Sequence, residues 1–242
     1  ALDKARSEMA ADGADVTAVI CDVSKFEEVE KLAETTHETY GAAHIVCNNA
    51  GVGYGGMSWE IEIKDWEWVL GVNLWGVIYG IKAFVPRMLA AGEEGHIINT
   101  SSIAGVTTGS GMAPYYVSKH GVVTLSEALH HELAMAGSKL KVSVLCPGWV
   151  NTRINESDRN RPTGAVDEGD LDPVAKQFRQ QVSAALQRGL SPDEVADLVF
   201  DSVVKERFYI FPHPHWKNMI KARVENMLND RQPTIVPPPD AS

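Results

Sequence analysis

Basic residues, cysteines and long apolar runs are all scarce in this chain, and each scarcity excludes a class of protein. The 22 lysines and arginines face 32 acidic residues, and the formal net charge of −10 argues against nucleic-acid partners and anionic membranes. No apolar run approaches the ~20 residues that a membrane helix needs, and no signal peptide is recognisable. We therefore expect a globular protein without a nucleic-acid or membrane partner.

The cysteines are too few, and odd in number, for a disulfide framework. Cys21, Cys47 and Cys146 each lie at or near the end of a predicted strand among apolar neighbours. This setting favours buried free thiols in a reducing cytoplasm, and a metal role is the minority interpretation. His213 and His215 also lack a third ligand nearby, so we expect no metal site.

The composition that remains is that of an ordinary globular domain. With 242 residues, 44% of them hydrophobic, the chain can bury one sizeable core. Predicted strands alternate with amphipathic helices, which indicates a parallel α/β sheet covered on both faces. The predicted strands span residues 16–21, 44–47, 95–100, 141–146 and 208–211, and the main helices span 26–40, 64–90, 115–136 and 192–205. We expect a single domain over residues 1–232, a flexible tail over 233–242, and a kink or break at Pro86.

The most informative constellation is a tyrosine, a lysine and a serine. Tyr115 and Lys119 are four residues apart and share a face if residues 115–136 are helical. A neighbouring cation lowers the pKa of a phenol from its usual value of about 10, which makes tyrosine a usable general acid/base. Ser102 follows the strand 95–100, at the strand end where open α/β sheets carry their catalytic residues. Its hydroxyl can therefore bind the substrate oxygen that Tyr115 protonates.

Each of these residues also has a simpler interpretation. Tyr115 can be a surface aromatic like its neighbour Tyr116, and Lys119 can be a solvated helix lysine. Ser101 is a rival for the role of Ser102. The spacing between the three residues favours the catalytic interpretation.

Six motifs occur in order, and together they resemble the short-chain dehydrogenase/reductase family over roughly residues 1–210. They are Asp22-Val23, Asn48-Asn49-Ala50-Gly51, Asn73 within Val-Asn-Leu-Trp-Gly, Ser102, Tyr115-x-x-x-Lys119, and Pro147-Gly148-x-Val150-x-Thr152. The resemblance implies an α/β fold with a doubly wound parallel sheet, a Rossmann-type three-layer sandwich. It also implies reversible hydride transfer between NAD or NADP and a secondary alcohol/ketone pair.

The same resemblance implies a role for each matched position. The catalytic set is Asn73, Ser102, Tyr115 and Lys119, in which Asn73 holds a water of the proton relay. The cofactor-binding set is Asp22, Val23, Asn49, Ala50, Gly51, Tyr115, Lys119, Pro147, Gly148, Val150 and Thr152. Asp22 binds the adenine amino group, and Lys119 bonds the nicotinamide ribose. Val150 and Thr152 hold the nicotinamide carboxamide.

The chain departs from the family pattern at its beginning. The family's Gly-rich phosphate turn has no match here, and Leu2, Ala5 and Met9 fit the helix that follows the second strand. We therefore expect about 30–40 residues of strand, helix and strand to precede Ala1. On this expectation, a protein beginning at Ala1 would be unstable and would bind cofactor weakly.

Three further expectations concern loops, assembly and alternative activities. Residues 151–172 form a long polar segment that the resemblance implies is the substrate lid, and residues 53–56 are predicted to be a flexible active-site loop. The resemblance also implies a homo-oligomer, a tetramer or otherwise a dimer, whose subunits pair through helices 64–90 and 115–136. Its apolar residues Val77, Ile81, Leu125 and Leu129 either contribute to that interface or face the chain's own sheet. Dehydration, epimerisation and a nucleotide-binding scaffold without turnover are the alternative functions.

Overall fold

A parallel sheet of four strands forms the centre of the fold. The computed structural model describes residues 1–162, 164 and 173–239. The strands are β1 (Ile45–Asn48), β2 (Gly95–Thr100), β3 (Leu140–Leu145) and β4 (Tyr209–Ile210), in the spatial order β1-β2-β3-β4. Ile45 pairs with His96, Ile97 with Val142, and Leu145 with Ile210. The carboxyl ends of all four strands therefore meet at one edge of the sheet.

Helices connect the strands and cover the sheet. They are α1 (Leu2–Ala11), α2 (Phe26–Tyr40), α3 (Ile63–Leu70), α4 (Gly76–Ala91), α5 (Ala113–Met135), α6 (Pro173–Gln187), α7 (Pro192–Val204) and α8 (Lys217–Leu228). Short 3₁₀ turns span Ile103–Gly105, Ile154–Asn160 and Pro214–Trp216.

Adjacent residues of β2 show that both faces of the sheet are buried. Ile97, fully buried, packs in one cluster with Val29 of α2 and Phe84 of α4. Ile98 packs in another with Val195 of α7. Because successive side chains of a strand point to opposite faces, these clusters lie on opposite sides of the sheet. The predicted doubly wound, three-layer α/β sandwich is confirmed.

Most predicted elements are present, within a few residues of their expected bounds. Ser191 caps α7 in a reciprocal pair with Glu194. The predicted strand over residues 16–21 is wrong, since the segment has no regular secondary structure. A strand needs a hydrogen-bonding neighbour, and none of the four described strands pairs with this segment.

The two segments predicted to be irregular are only partly described. Residues 154–160 form a 3₁₀ turn, and the rest of the predicted lid falls largely on residues 163 and 165–172, outside the described residues. In the tail, residues 233–238 have no helix or strand, and residues 240–242 lie outside the description.

The predicted helix over 64–90 is interrupted, although not at Pro86. Residues Gly71–Trp75 form a π-helical turn between α3 and α4, and α4 continues through Pro86 to Ala91. The combined stretch Ile63–Ala91 is 29 residues long, with a mean hydropathy of 1.5 in its most apolar window, and half of that window is buried. The expectation that no apolar stretch reaches membrane-spanning length is therefore wrong by length and composition. The core helix of a globular protein meets the same criteria.

The four apolar residues considered for an interface instead contribute to the chain's own core. Val77 and Leu129 are only 2% and 5% exposed. Ile81 and Leu125 pack against the same buried clusters.

Glycine at position 80 allows α4 to approach β1 closely. A Cβ at Gly80 would overlap the side-chain amide of Asn48, which donates to Asn99 Oδ1 at 2.8 Å. We expect Gly80→Ala to lower the free energy of unfolding by about 1–3 kcal/mol, as overpacking does. Urea denaturation measures the loss. Gly71→Ala is the control, because its Cβ would lie 3.4 Å from Ser24 Cβ, an ordinary contact; equal stability losses in both variants would contradict the prediction.

Candidate active site

The ends of three adjacent strands supply neighbouring polar groups. Asn49 follows β1, and its Oδ1 accepts from Thr100 Oγ1 at the end of β2, at 2.9 Å. Ser102 lies just beyond β2, and its Oγ is 3.4 Å from the carbonyl oxygen of Pro147, which follows β3. The Asn-Asn-Ala-Gly, Ser102 and Pro-Gly motifs therefore lie side by side, as the parallel register requires.

Tyr115 and Lys119 lie in the first two turns of α5, on the face that meets these strand ends. Lys119 Nζ lies 5.7 Å from the centre of the Tyr115 ring. The lysine is 3% exposed, and its Nζ donates to the carbonyl oxygen of Thr100 at 2.9 Å. The expectation that the phenol and the ammonium project side by side is confirmed.

The predicted lowering of the Tyr115 pKa is wrong for the protein without cofactor. Burial raises the pKa of Tyr115, and the hydrogen bond with Ser102 only partly opposes this rise. Lys119 is not among the causes of this shift, and its ammonium donates to the Thr100 carbonyl oxygen. Burial also lowers the pKa of Lys119 to about 8.

The two neighbouring serines have different surroundings. Ser101, 2% exposed, donates to the carbonyl oxygen of Lys119 at 2.8 Å and so joins β2 to α5. Ser102 accepts from the Ala104 N–H at 3.1 Å, and its hydroxyl lowers the pKa of Tyr115, which burial raises. Of the two, Ser102 is the serine next to the phenol, in agreement with the spacing in the sequence.

Asn73 is fully buried in the π turn, with its amide engaged by protein groups. Its Oδ1 accepts from the Val52 N–H at 2.8 Å. Its Nδ2 donates to the Val52 carbonyl oxygen at 2.9 Å and to Ser118 Oγ at 3.1 Å. Both N–H groups are thus used, so the side chain positions Val52 beside the site. A relay water on Asn73 would need the second lone pair of Oδ1 or the main chain.

Three residues of the predicted cofactor-binding set line one cavity, whereas Asp22 and Gly51 do not. Val23, Asn49 and Ala50 line a cavity of about 430 Å³ between α2, α4 and the outer edge of β1. Asp22 does not line it, and its Oδ1 accepts from the N–H and hydroxyl of Ser24 at 3.1 and 2.7 Å. Burial would raise the pKa of Asp22, but the bonds from Ser24 and Lys25 lower it. Asp22 therefore also forms the turn that precedes α2.

The Pro-Gly motif is held in place by contacts with residues for which the sequence predicted no role. The Gly148 N–H donates to His213 Nδ1 at 3.1 Å. A Cβ at Gly148 would lie 2.7 Å from the ring of Trp216, which is 1% exposed. Val150 forms a bridge with Leu190, and the Thr152 N–H donates to the Val150 carbonyl oxygen at 2.7 Å. His213 thus positions a turn, a role that its His-Pro-His motif did not reveal.

The loop predicted to be flexible is anchored at both ends. The Gly53 N–H donates to Ser157 Oγ at 2.9 Å, and the Gly56 N–H donates to the Gly111 carbonyl oxygen at 2.8 Å. An ion pair between Arg161 and Asp65 lies next to Tyr54 of this loop. No local sequence signal connected these residues, because they are up to 104 positions apart.

The residues present fit a nicotinamide cofactor. A Cβ at Gly51 would lie 3.5 Å from both Asn73 Oδ1 and Lys119 Nζ, so the glycine keeps a small space open beside these groups. Trp149 Nε1, within the Pro-Gly motif, is buried without a hydrogen-bond partner among the described residues. Hydroxyl-rich and amide-bearing ligands satisfy such groups.

Comparison with known proteins identifies the family. The profile of the family described as short chain dehydrogenase matches residues 1–163. The chain is 32% identical to the CLA biosynthesis dehydrogenase/reductase of Lactiplantibacillus plantarum, covering 97% of this chain and 83% of the relative. It is 35% identical to the 1-deoxy-11-beta-hydroxypentalenate dehydrogenase of Streptomyces avermitilis, covering 95% of this chain and 76% of the relative.

A solved structure shares both fold and sequence. A short-chain dehydrogenase/reductase from Burkholderia phymatum, solved in complex with NAD, superposes with a TM-score of 0.93 at 38% identity, covering 98% of this chain and 85% of that one. Dehydrogenases thus recur among both sequence and structural relatives. The chain belongs to the short-chain dehydrogenase/reductase family and is an oxidoreductase that depends on NAD or NADP.

Proposed function

We propose that the protein transfers hydride reversibly between its nicotinamide cofactor and a secondary alcohol/ketone pair, with Tyr115 as the general acid/base. The observation that carries this proposal is the position of the buried Lys119 ammonium 5.7 Å from the centre of the Tyr115 ring, with the Ser102 hydroxyl near the same phenol. A substrate oxygen between the two hydroxyls would exchange a proton with the phenol and be oriented by the serine. The cofactor, when bound, supplies or accepts the hydride.

The raised pKa of Tyr115 favours one direction at neutral pH. A phenol that keeps its proton can donate it to a carbonyl oxygen, as ketone reduction requires. Alcohol oxidation requires the phenol as a base, so this direction should gain rate as the pH rises. Lys119 would bond the nicotinamide ribose and stabilise the phenolate while it is charged. Asn73 would hold the Val52 main chain beside the site.

The cofactor-binding roles follow the same geometry. Val23, Asn49 and Ala50 would contact the adenosine part, since they line one cavity. Asp22 would offer its remaining carboxylate lone pairs to the adenine amino group. The Pro147, Gly148, Val150 and Thr152 turn would hold the carboxamide, and Gly51 would let the ligand pass close to Lys119.

Turnover of a compound panel tests the function. The protein is assayed with NAD(H) and NADP(H) against secondary alcohols and their ketones, from short aliphatic to bulky ring compounds, following absorbance at 340 nm. Oxidation of at least one alcohol, with the matching ketone as product, supports the proposal. Cofactor binding without turnover would favour a scaffold, and a redox-neutral product would favour dehydration or epimerisation.

We also propose that the protein is a homo-oligomer, a dimer or a tetramer. Apolar side chains remain exposed on α4, α5 and the π turn, including Trp75 at 49%, Val117 at 50% and Met135 at 88%. Light scattering at micromolar concentration should give two or four times the chain's 26.4 kDa. Val117→Glu, on the exposed face of α5, should lower the mass. A monomer in both the parent and the variant would contradict this prediction.

A reducing compartment, the cytoplasm, is proposed for the protein. All three cysteines are free, and Cys47 is exposed. Free exposed thiols persist where thiols are kept reduced.

A further inference from the structure

We propose that Arg161 is a positioning residue for the substrate. Its ion pair with Asp65, here called the clamp, holds the segment 154–161 after β3 against the loop 53–56 near the start of α5. This segment and loop would together form the wall of the site on the substrate side. This inference rests on the proposed function, because it assigns the wall to that same site.

The ion pair has the geometry of a strong, shielded contact. Arg161 Nε lies 2.7 Å from Asp65 Oδ1, and a terminal guanidinium nitrogen lies 2.7 Å from Oδ2. The Arg161 and Asp65 side chains are only 12% and 2% exposed. Such planar bidentate pairing is specific to arginine. The guanidinium also lies 5.3 Å from the centre of the Tyr54 ring.

Arg161 ends the 3₁₀ turn Ile154–Asn160, so the ion pair fixes the whole turn. Within it, Ser157 is 2% exposed and accepts the Gly53 N–H. A second ion pair, Arg179 to Asp158 at 2.8 Å, ties the turn to α6. The turn is therefore bonded to three neighbours: the loop 53–56, α3 and α6.

The loop that receives this turn leads directly to the proposed catalytic residues. Val52 is held by both polar ends of the Asn73 amide. At the other end, Gly56 pairs with Met112, three residues before Tyr115. A shift of the clamped turn would therefore move the loop that pairs with the chain just before α5, where Tyr115 lies in the first turn.

A positioning role accounts for an ion pair among apolar neighbours. Asp65 lies on α3 beside the buried Trp68 and Val69. A buried ion pair is weak support for stability, because burying both charges offsets their attraction. Its bidentate form instead fixes the geometry of the turn relative to α3. The expected consequence is an effect on substrate binding that exceeds any effect on cofactor binding.

The test compares Arg161→Met and Arg161→Lys with a matched control, Arg87→Met. Arg87 pairs with Glu30 at 2.6 Å between α4 and α2, away from the proposed catalytic residues. For the best alcohol of the panel, Arg161→Met should raise KM about tenfold or more, because small misplacements of a binding wall are costly. The kcat and the Kd for NAD(H) or NADP(H) should change less than about threefold, and Arg161→Lys should recover only part of KM.

Hydrogen–deuterium exchange gives a readout that does not depend on turnover. In Arg161→Met, residues 52–56 and 154–160 should exchange faster, and the control should leave both segments unchanged. If Arg161→Met does not fold, Arg161→Lys carries the same comparison. An unchanged KM in Arg161→Met, or equal losses of substrate and cofactor affinity, would overturn the proposal that Arg161 positions the substrate. If no panel compound is turned over, the proposed function fails, while the exchange experiment still decides whether Arg161 holds the two segments.

Discussion

Replacing Tyr115 with phenylalanine is expected to lower kcat by ~10²–10⁴-fold, the usual contribution of a general acid/base. The variant loses one hydroxyl, while the ring and its contact with Lys119 remain. Cofactor affinity should therefore stay within a few-fold of the parent. Steady-state rates and cofactor fluorescence titration measure the two quantities.

Tyr116→Phe is the matched control for this experiment. Tyr116 is the next residue on α5, and its hydroxyl lies beside Gly109. It should retain most of the parent rate. A Tyr115→Phe enzyme within a few-fold of the parent would show that another group moves the proton.

Replacing Lys119 with methionine is expected to abolish most activity and yet stabilise the fold at pH 7. Burial lowers the pKa of Lys119 from 10.5 to about 8, a shift that corresponds to a destabilisation of about 3 kcal/mol. Methionine removes that cost, but it leaves the Thr100 carbonyl without its partner, which costs about 1–3 kcal/mol. We therefore expect a net gain of about 1–2 kcal/mol at most.

The pH dependence of this stability gain shows whether it comes from removing the buried charge or from packing. Below pH 8 the lysine is charged in both the folded and unfolded states, so its burial cost is fully present. Between pH 8 and 10.5 the folded protein binds fewer protons than the unfolded chain, so the parent regains stability as the pH rises. Urea denaturation at both ends of this range should show the advantage of Lys119→Met fading with pH. Lys82→Met, at an exposed position on α4, should show no such trend; a gain independent of pH would point to packing instead.

The sequence predicted the fold well where local patterns decide it. Helix α2 begins and ends where the apolar spacing predicted, and the Ser191-Pro192 start of α7 is capped as expected. Residues 16–21 have the composition of a strand, but strand formation depends on a partner that local sequence does not specify. The π turn over Gly71–Trp75 was also not predicted, since its residues are ordinary helix and loop types.

For the candidate site, the sequence predicted the residues but not their electrostatics. The order and spacing of Ser102, Tyr115 and Lys119 sufficed to bring them together. The direction of the Tyr115 pKa shift depends first on burial, which cannot be read from a spacing of four residues. The clamp residues Asp65 and Arg161 are 96 positions apart, so only the folded chain connects them.

The π turn lets the stretch between α3 and α4 carry one residue more than a regular helix would. A π turn holds one residue more than the α-helical turn it replaces, so the helices on either side keep nearly the phase of one continuous helix. Deleting one residue from Gly71–Trp75 would therefore join α3 and α4 as a regular helix and leave Asp65 and Trp68 on their present faces. The deletion would act on the turn itself, where the side chain of Asn73 holds the main chain of Val52. The extra residue thus serves the placement of Asn73 rather than the relative rotation of the two helices.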